Sequence, residues 1–98
     1  MEKNTSIVYA IQATKLFRIG VFSNKIAVRM LHDQAIIRRY GPLVAISTDD
    51  GEVLQSITVD VIDPNTNTII HSEQFYDNEA ARHFAVVMNY KGYHTNIY

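Results

Sequence analysis

The chain has 98 residues, nine of them Lys or Arg and ten Asp or Glu, for a formal charge of -1. That length suits one packed domain over 1–98, and the near-neutral balance argues against a polyanion binder that works by diffuse attraction. Cysteine is absent, which excludes disulfides, thiolate metal sites and cysteine nucleophiles. With 47% hydrophobic against 19% charged residues the chain lies on the globular side of the boundary with disorder.

Met1-Glu2-Lys3-Asn4-Thr5-Ser6 leads into an uncharged stretch of only about ten residues containing Gln12, too short and too polar for a signal peptide's apolar segment or a membrane span, so a cytoplasmic location is expected. From Ile7 the residues Ile7, Tyr9, Ile11 and Ala13 alternate with Val8, Ala10, Gln12 and Thr14, and a second alternation runs on from Phe17 to Phe22. One straight strand from Ile7 to Phe22 would reach roughly 50 Å at about 3.3 Å per residue, too long for so small a domain. A bend or tight turn near Thr14-Lys15 is therefore expected, leaving one bent strand or two.

An amphipathic helix is expected from Asn24 to Tyr40, capped by Ser23 or Asn24 and closed by Gly41-Pro42. Its buried stripe reads Ile26, Ala27, Met30, Leu31, Ala35 and Ile37, with Lys25, Arg29, His32, Asp33 and Arg39 on the wet side. Leu43 to Ser47 reads as an inner strand. Asp49-Asp50-Gly51 signals a hairpin into a long strand from Val53. Residues 63–67 turn again, Thr68 to Phe75 returns, and a second helix from Asp77 to Lys91 buries Ala80, Ala81, Phe84, Ala85 and Met88. Tyr93 to Tyr98 closes as a strand. The order β-α-β-β-β-α-β predicts α+β, with two helices on one face of a mainly antiparallel sheet in a ferredoxin-like arrangement carrying an added strand.

No arrangement of residues carries recognisable chemistry. The histidines His32, His71, His83 and His94 lie at no zinc-finger or metalloprotease spacing, so surface histidines are the simpler account, and no metal or cofactor is expected. His71 and Asp60 on one strand face would be a satisfied polar contact before an acid/base dyad. Ser23, Ser47, Ser56 and Ser72 lack a nucleophile elbow, and Asp49 with Asp50 is ordinary turn chemistry.

Two asymmetries are more telling. Residues up to Gly41 hold seven of the nine Lys and Arg against Glu2 and Asp33 alone, and Lys15, Arg18, Arg38 and Arg39 are the candidate nucleic-acid contacts of that half. Six tyrosines fall among ten aromatics, with Tyr76, Tyr90, Tyr93 and Tyr98 in the last quarter. Tyrosine joins a large apolar body to a polar tip, which suits protein contacts. With Tyr93 and Ile97 packed inward, Tyr98, His94 and Asn96 face outward, and Tyr90 is expected nearby.

The run Gly20-Val21-Phe22-Ser23-Asn24-Lys25, followed by a helix with Arg29 and Leu31, resembles the first strand-to-helix junction of SPOR peptidoglycan-binding domains. Asp77-Asn78-Glu79-Ala80-Ala81 to Gly92-Tyr93 is similar to their second helix and last strand. The likeness implies a ferredoxin-like fold. The helix alanine is out of step and an extra strand precedes the second helix, so the family is not assigned.

The expected function is a non-catalytic protein-interaction domain that binds a larger protein, an inhibitor of phage or mobile-element character, through Tyr90, His94, Asn96 and Tyr98. A nucleic-acid-binding accessory protein is the alternative, and a small-ligand-binding homo-oligomer, a homodimer among them, is a third.

Overall fold

The computed structural model describes residues 4–98. Met1, Glu2 and Lys3, named above where a signal peptide and a membrane span were weighed, lie outside the described residues. The fold is α+β, with six strands and three helices among those residues. They form two compact units, one ending at Leu54 and one beginning at Gln55.

The first unit holds β1 (Thr5–Gln12), β2 (Lys15–Ser23), α1 (Asn24–Met30), α2 (Gln34–Tyr40) and β3 (Leu43–Ser47). Its sheet runs β2-β1-β3, antiparallel throughout. The expected break in the first run is a two-residue turn at Ala13-Thr14, in which Ala13 takes φ 55. Residues 7–22 are therefore two strands. Register slips between Val8 and Tyr9, which pair with Gly20 and Arg18, so Ile19 is an extra residue on β2.

The single helix expected from Asn24 to Tyr40 is two. Ser23 caps the first, its hydroxyl accepting from the Ile26 amide at 3.3 Å. Asp33, assigned above to the wet side, caps the second by accepting from the amides of Ala35 (3.0 Å) and Ile36 (3.4 Å). A carboxylate two and three residues ahead of free amides competes with helix continuation, and here it restarts the helix instead. The buried stripe is rotated too: Asn24, Ala27 and Val28 are buried while Ile26 is 50% exposed. Ser6 on β1 donates to the Asn24 side-chain oxygen at 2.5 Å in the interior, which turns α1 so that Asn24 meets the sheet. Ser6, Val8 and Ala10 face α1, with Ala45 completing the small-residue core.

Leu43–Ser47 is an edge strand, and β1 is the inner one. Beyond Asp49-Asp50-Gly51 the return is short: Val53 makes one bridge to Ile46, and Leu54 donates to the Ala45 carbonyl at 2.8 Å. Residues 53–56 therefore do not belong to the long strand expected from Val53.

The second unit holds β4 (Ile57–Asp63), β5 (Thr68–Phe75), α3 (Asn78–Tyr90) and β6 (His94–Ile97), with sheet order β5-β4-β6, again antiparallel. The turn between β4 and β5 is held by the Asp63 carboxylate, which accepts from the Asn65 amide at 2.8 Å, and Asn67 takes φ 55. Asp77 caps α3 by accepting from the Glu79 amide at 3.0 Å. Ile57, Val59, Ala81 and Ala85 form its core, with Phe75 and Phe84 packed against it, their own ring centroids 5.3 Å apart. Ala80, placed above in the buried stripe, is exposed.

The ferredoxin-like arrangement predicted one sheet, whereas the strands form two of three strands each. Both units repeat one topology: a hairpin, a helical crossover and a third strand beside the first, in order 2-1-3. Each hairpin carries its extra residue on its second strand, Ile19 in one and Ile70 in the other. The repeat is invisible as sequence identity because it is specified by pattern, apolar residues on the helix side and a cap at the strand's end. No helix among the described residues is long and apolar enough to cross a membrane.

Candidate functional site

Strand register sorts the C-terminal residues. Asn96 pairs with Asp60 and His94 with Ile62, while Tyr98 and Thr58 exchange both backbone hydrogen bonds at 2.7 and 2.9 Å. Paired residues point the same way, so His94, Asn96 and Tyr98 share the face of Thr58 and Asp60, away from α3. Ile97 is opposite Val59 on the helix side, 44% exposed, and Tyr93 is half-buried. Tyr90 is 94% exposed but belongs to α3, on the other side of the sheet, so the structure separates it from His94, Asn96 and Tyr98.

At the centre of that polar face Asp60 is 4% exposed and accepts from the Ser72 hydroxyl at 2.5 Å. The Tyr98 phenol, on a side chain 67% exposed, is also hydrogen-bonded to Asp60. That hydrogen bond, helped by partial desolvation and the Asp60 charge, raises the Tyr98 hydroxyl above the usual phenol range. The suggested pairing of Asp60 with His71 does not occur: His71 is opposite Val61 on the helix side, bonded to Glu73 at 3.1 Å, with its ring 6.2 Å from that of Phe84. Alternation along β5 gives the reason, since Ser72 rather than His71 is in register with Asp60.

The basic residues do not form one surface. Lys15 is opposite Gln12, whose side-chain amide donates to the Tyr40 carbonyl at 3.4 Å, which puts Lys15 at the hairpin end that meets the last turn of α2 with Arg38 and Arg39. Arg18 is opposite Tyr9, on the face away from α1. Arg39 lies over the Tyr40 ring at 5.4 Å.

The surface that sequence reasoning missed is β2 itself. Among the described residues it has a strand neighbour on one side only, and Leu16, Phe17 and Val21 are 57%, 52% and 48% exposed. Register sends Leu16, Arg18 and Val21 to the open face with Ile11, Tyr9 and Ile7, and Phe17 and Phe22 to the face of α1. The signal was present: a strand apolar on both faces reads as interior, and an apolar strand left at an edge displays large side chains.

Asp49 and Asp50 do ordinary turn work, the Asp50 carboxylate accepting from the Glu52 amide at 3.0 Å. No group of three or more His, Asp or Glu converges as metal ligands among the described residues. No family model matches the chain, and neither a curated protein nor a solved structure does. The local likeness to SPOR domains therefore carries no family assignment.

Proposed function

We propose that the chain is a non-catalytic protein-interaction domain of the cytoplasm, and that β2 is its principal contact strand. The observation that carries the reading is the display of Leu16, Phe17 and Val21 along an unpaired strand edge. Exposed large apolar side chains along a strand edge mark association sites in folded proteins, and Leu16 and Val21 on one face with Phe17 on the other supply the anchors such contacts need. The His94, Asn96 and Tyr98 face is a secondary polar contact, and Tyr90 forms a separate exposed point on α3. The separation of Arg18 from Lys15, Arg38 and Arg39 weakens the nucleic-acid alternative, since a phosphate-tracking groove needs its cations on one surface.

Affinity capture from the host's lysate with quantitative mass spectrometry tests the reading, comparing wild type with the double variant Leu16→Ser, Phe17→Ser. A protein retained in stoichiometric amount by wild type and lost by a folded variant is the expected result. Recovery of nucleic acid that Arg38→Glu with Arg39→Glu abolishes, with no protein retained, overturns it.

A further inference from the structure

The geometry points to strand addition on β2 by an extended acidic segment of the partner, an inference that rests on the protein-interaction reading and names its chemistry. β2 is nine residues long, lacks proline, and ends its sheet. Alternate residues of such a strand direct N–H and C=O groups away from their one neighbour, forming a template for another strand. Leu16 and Val21 on one face and Phe17 on the other would then be read by alternating side chains of the added segment.

Charge selects the occupant. From Asn4 to His32 the chain contains Lys15, Arg18, Lys25 and Arg29 and no Asp or Glu. The hairpin and α1 on its inner face thus carry cations and no carboxylate, and two of the four cations are on β2 itself, Lys15 on one face and Arg18 on the other, so a strand added at the edge meets both although a single groove does not. Lysine and arginine on an edge strand also guard against indiscriminate pairing. Their guard is selective: a second copy of β2 would bring two cations against two, whereas a segment bearing carboxylates gains by the same contacts. A polynucleotide would meet the charges but leave the edge N–H and C=O groups and the apolar side chains without counterparts.

The test uses three fluorescein-labelled octapeptides: one alternating Glu with Val, the same with Lys for Glu, and the acidic one N-methylated at alternate residues. The acidic peptide is expected to bind at least tenfold more tightly than either of the others and to slow amide exchange at alternate β2 positions. Lys15→Glu with Arg18→Glu is expected to invert the preference between acidic and basic peptides, a result that unfolding cannot mimic. Equal binding of the N-methylated peptide overturns strand addition. Tighter binding of single-stranded oligo-dT, or a wild-type dimer in sedimentation that Leu16→Ser dissolves, overturns the choice of occupant. If capture from lysate succeeds through β2 while all peptides fail, the interaction reading stands and this inference falls; if both fail, both fall.

Discussion

Replacing Phe84 by Ala measures how much of the second unit depends on one ring. Truncating a fully buried phenylalanine costs roughly 3–5 kcal/mol through lost transfer energy and a residual cavity. Phe84 is half-buried against the Ile57, Val59, Ala81 and Ala85 core, so only about half of that, roughly 2 kcal/mol, applies. Its tilted contact with Phe75 at 5.3 Å adds about 0.5 kcal/mol. A loss of about 2 to 2.5 kcal/mol is expected in urea unfolding followed by far-ultraviolet circular dichroism, with the slope unchanged. In native-state exchange the β4 amides should open at least about thirtyfold more often, the equivalent of roughly 2 kcal/mol. Glu79→Ala, exposed in the first turn of α3, is the control, worth at most about 0.5 kcal/mol through the helix dipole. Equal losses for the two variants would show that α3 does not pack on β4 through this ring.

Three further outcomes are expected. Ala13→Gly is expected to stabilise the protein by about 0.5 to 1 kcal/mol in thermal melts, because Ala13 holds φ 55 in a tight turn where a Cβ is strained; a loss of stability would place the turn elsewhere. Asp33→Ala is expected to cost about 1 kcal/mol and to reduce helicity, since it frees the amides of Ala35 and Ile36, whereas a continuous helix would be indifferent to it. In spectrophotometric titration, the signal lost in Tyr98→Phe is expected to lie at higher pH than a peptide tyrosine, about 10, because Asp60 hydrogen-bonds the neutral phenol. A folded-state value raised above the unfolded one means the contact is intact below the ordinary phenol range and is lost as pH rises through the raised value; a titration at or below the peptide value refutes the contact.

Local order was the legible part of the sequence. The ends of β5, the caps at Ser23 and Asp77, the turn at residues 63–67 and the stop at Gly41 each rest on one or two residues whose chemistry acts at short range, and each is found where the pattern placed it. The break at Asp33 was missed because an apolar stripe of period 3.6 continues across it, and periodicity cannot see a side chain that competes for backbone amides. The division into two sheets was missed because Val53 to Asp63 reads as one alternating run. Only tertiary pairing reveals that Val53 bridges Ile46 while Ile57 begins a strand with Phe75. Strand alternation was enough to put His94, Asn96 and Tyr98 on one face, whereas the place of Tyr90 was not legible, because a helix residue's side of the sheet depends on how the helix crosses it.

The repeated topology explains where this chain is free to differ from itself. A hairpin, crossover and third strand require apolar residues on the helix side, and both units supply them, Val8, Ala10 and Ala45 in one and Ile57, Val59 and Val61 in the other. The opposite face is under no such demand. At the middle of the central strand it carries Tyr9 between Arg18 and Val44 in the first unit, and Asp60 between Ser72 and Asn96 in the second. One open face is thus apolar and basic at its edge, the other polar with a hydrogen-bonded carboxylate at its centre. Topology fixes the side that packs, so any difference between the two units is written mainly on the sides that do not, which is where Leu16, Arg18 and Val21 of β2 and the Tyr98 face are found.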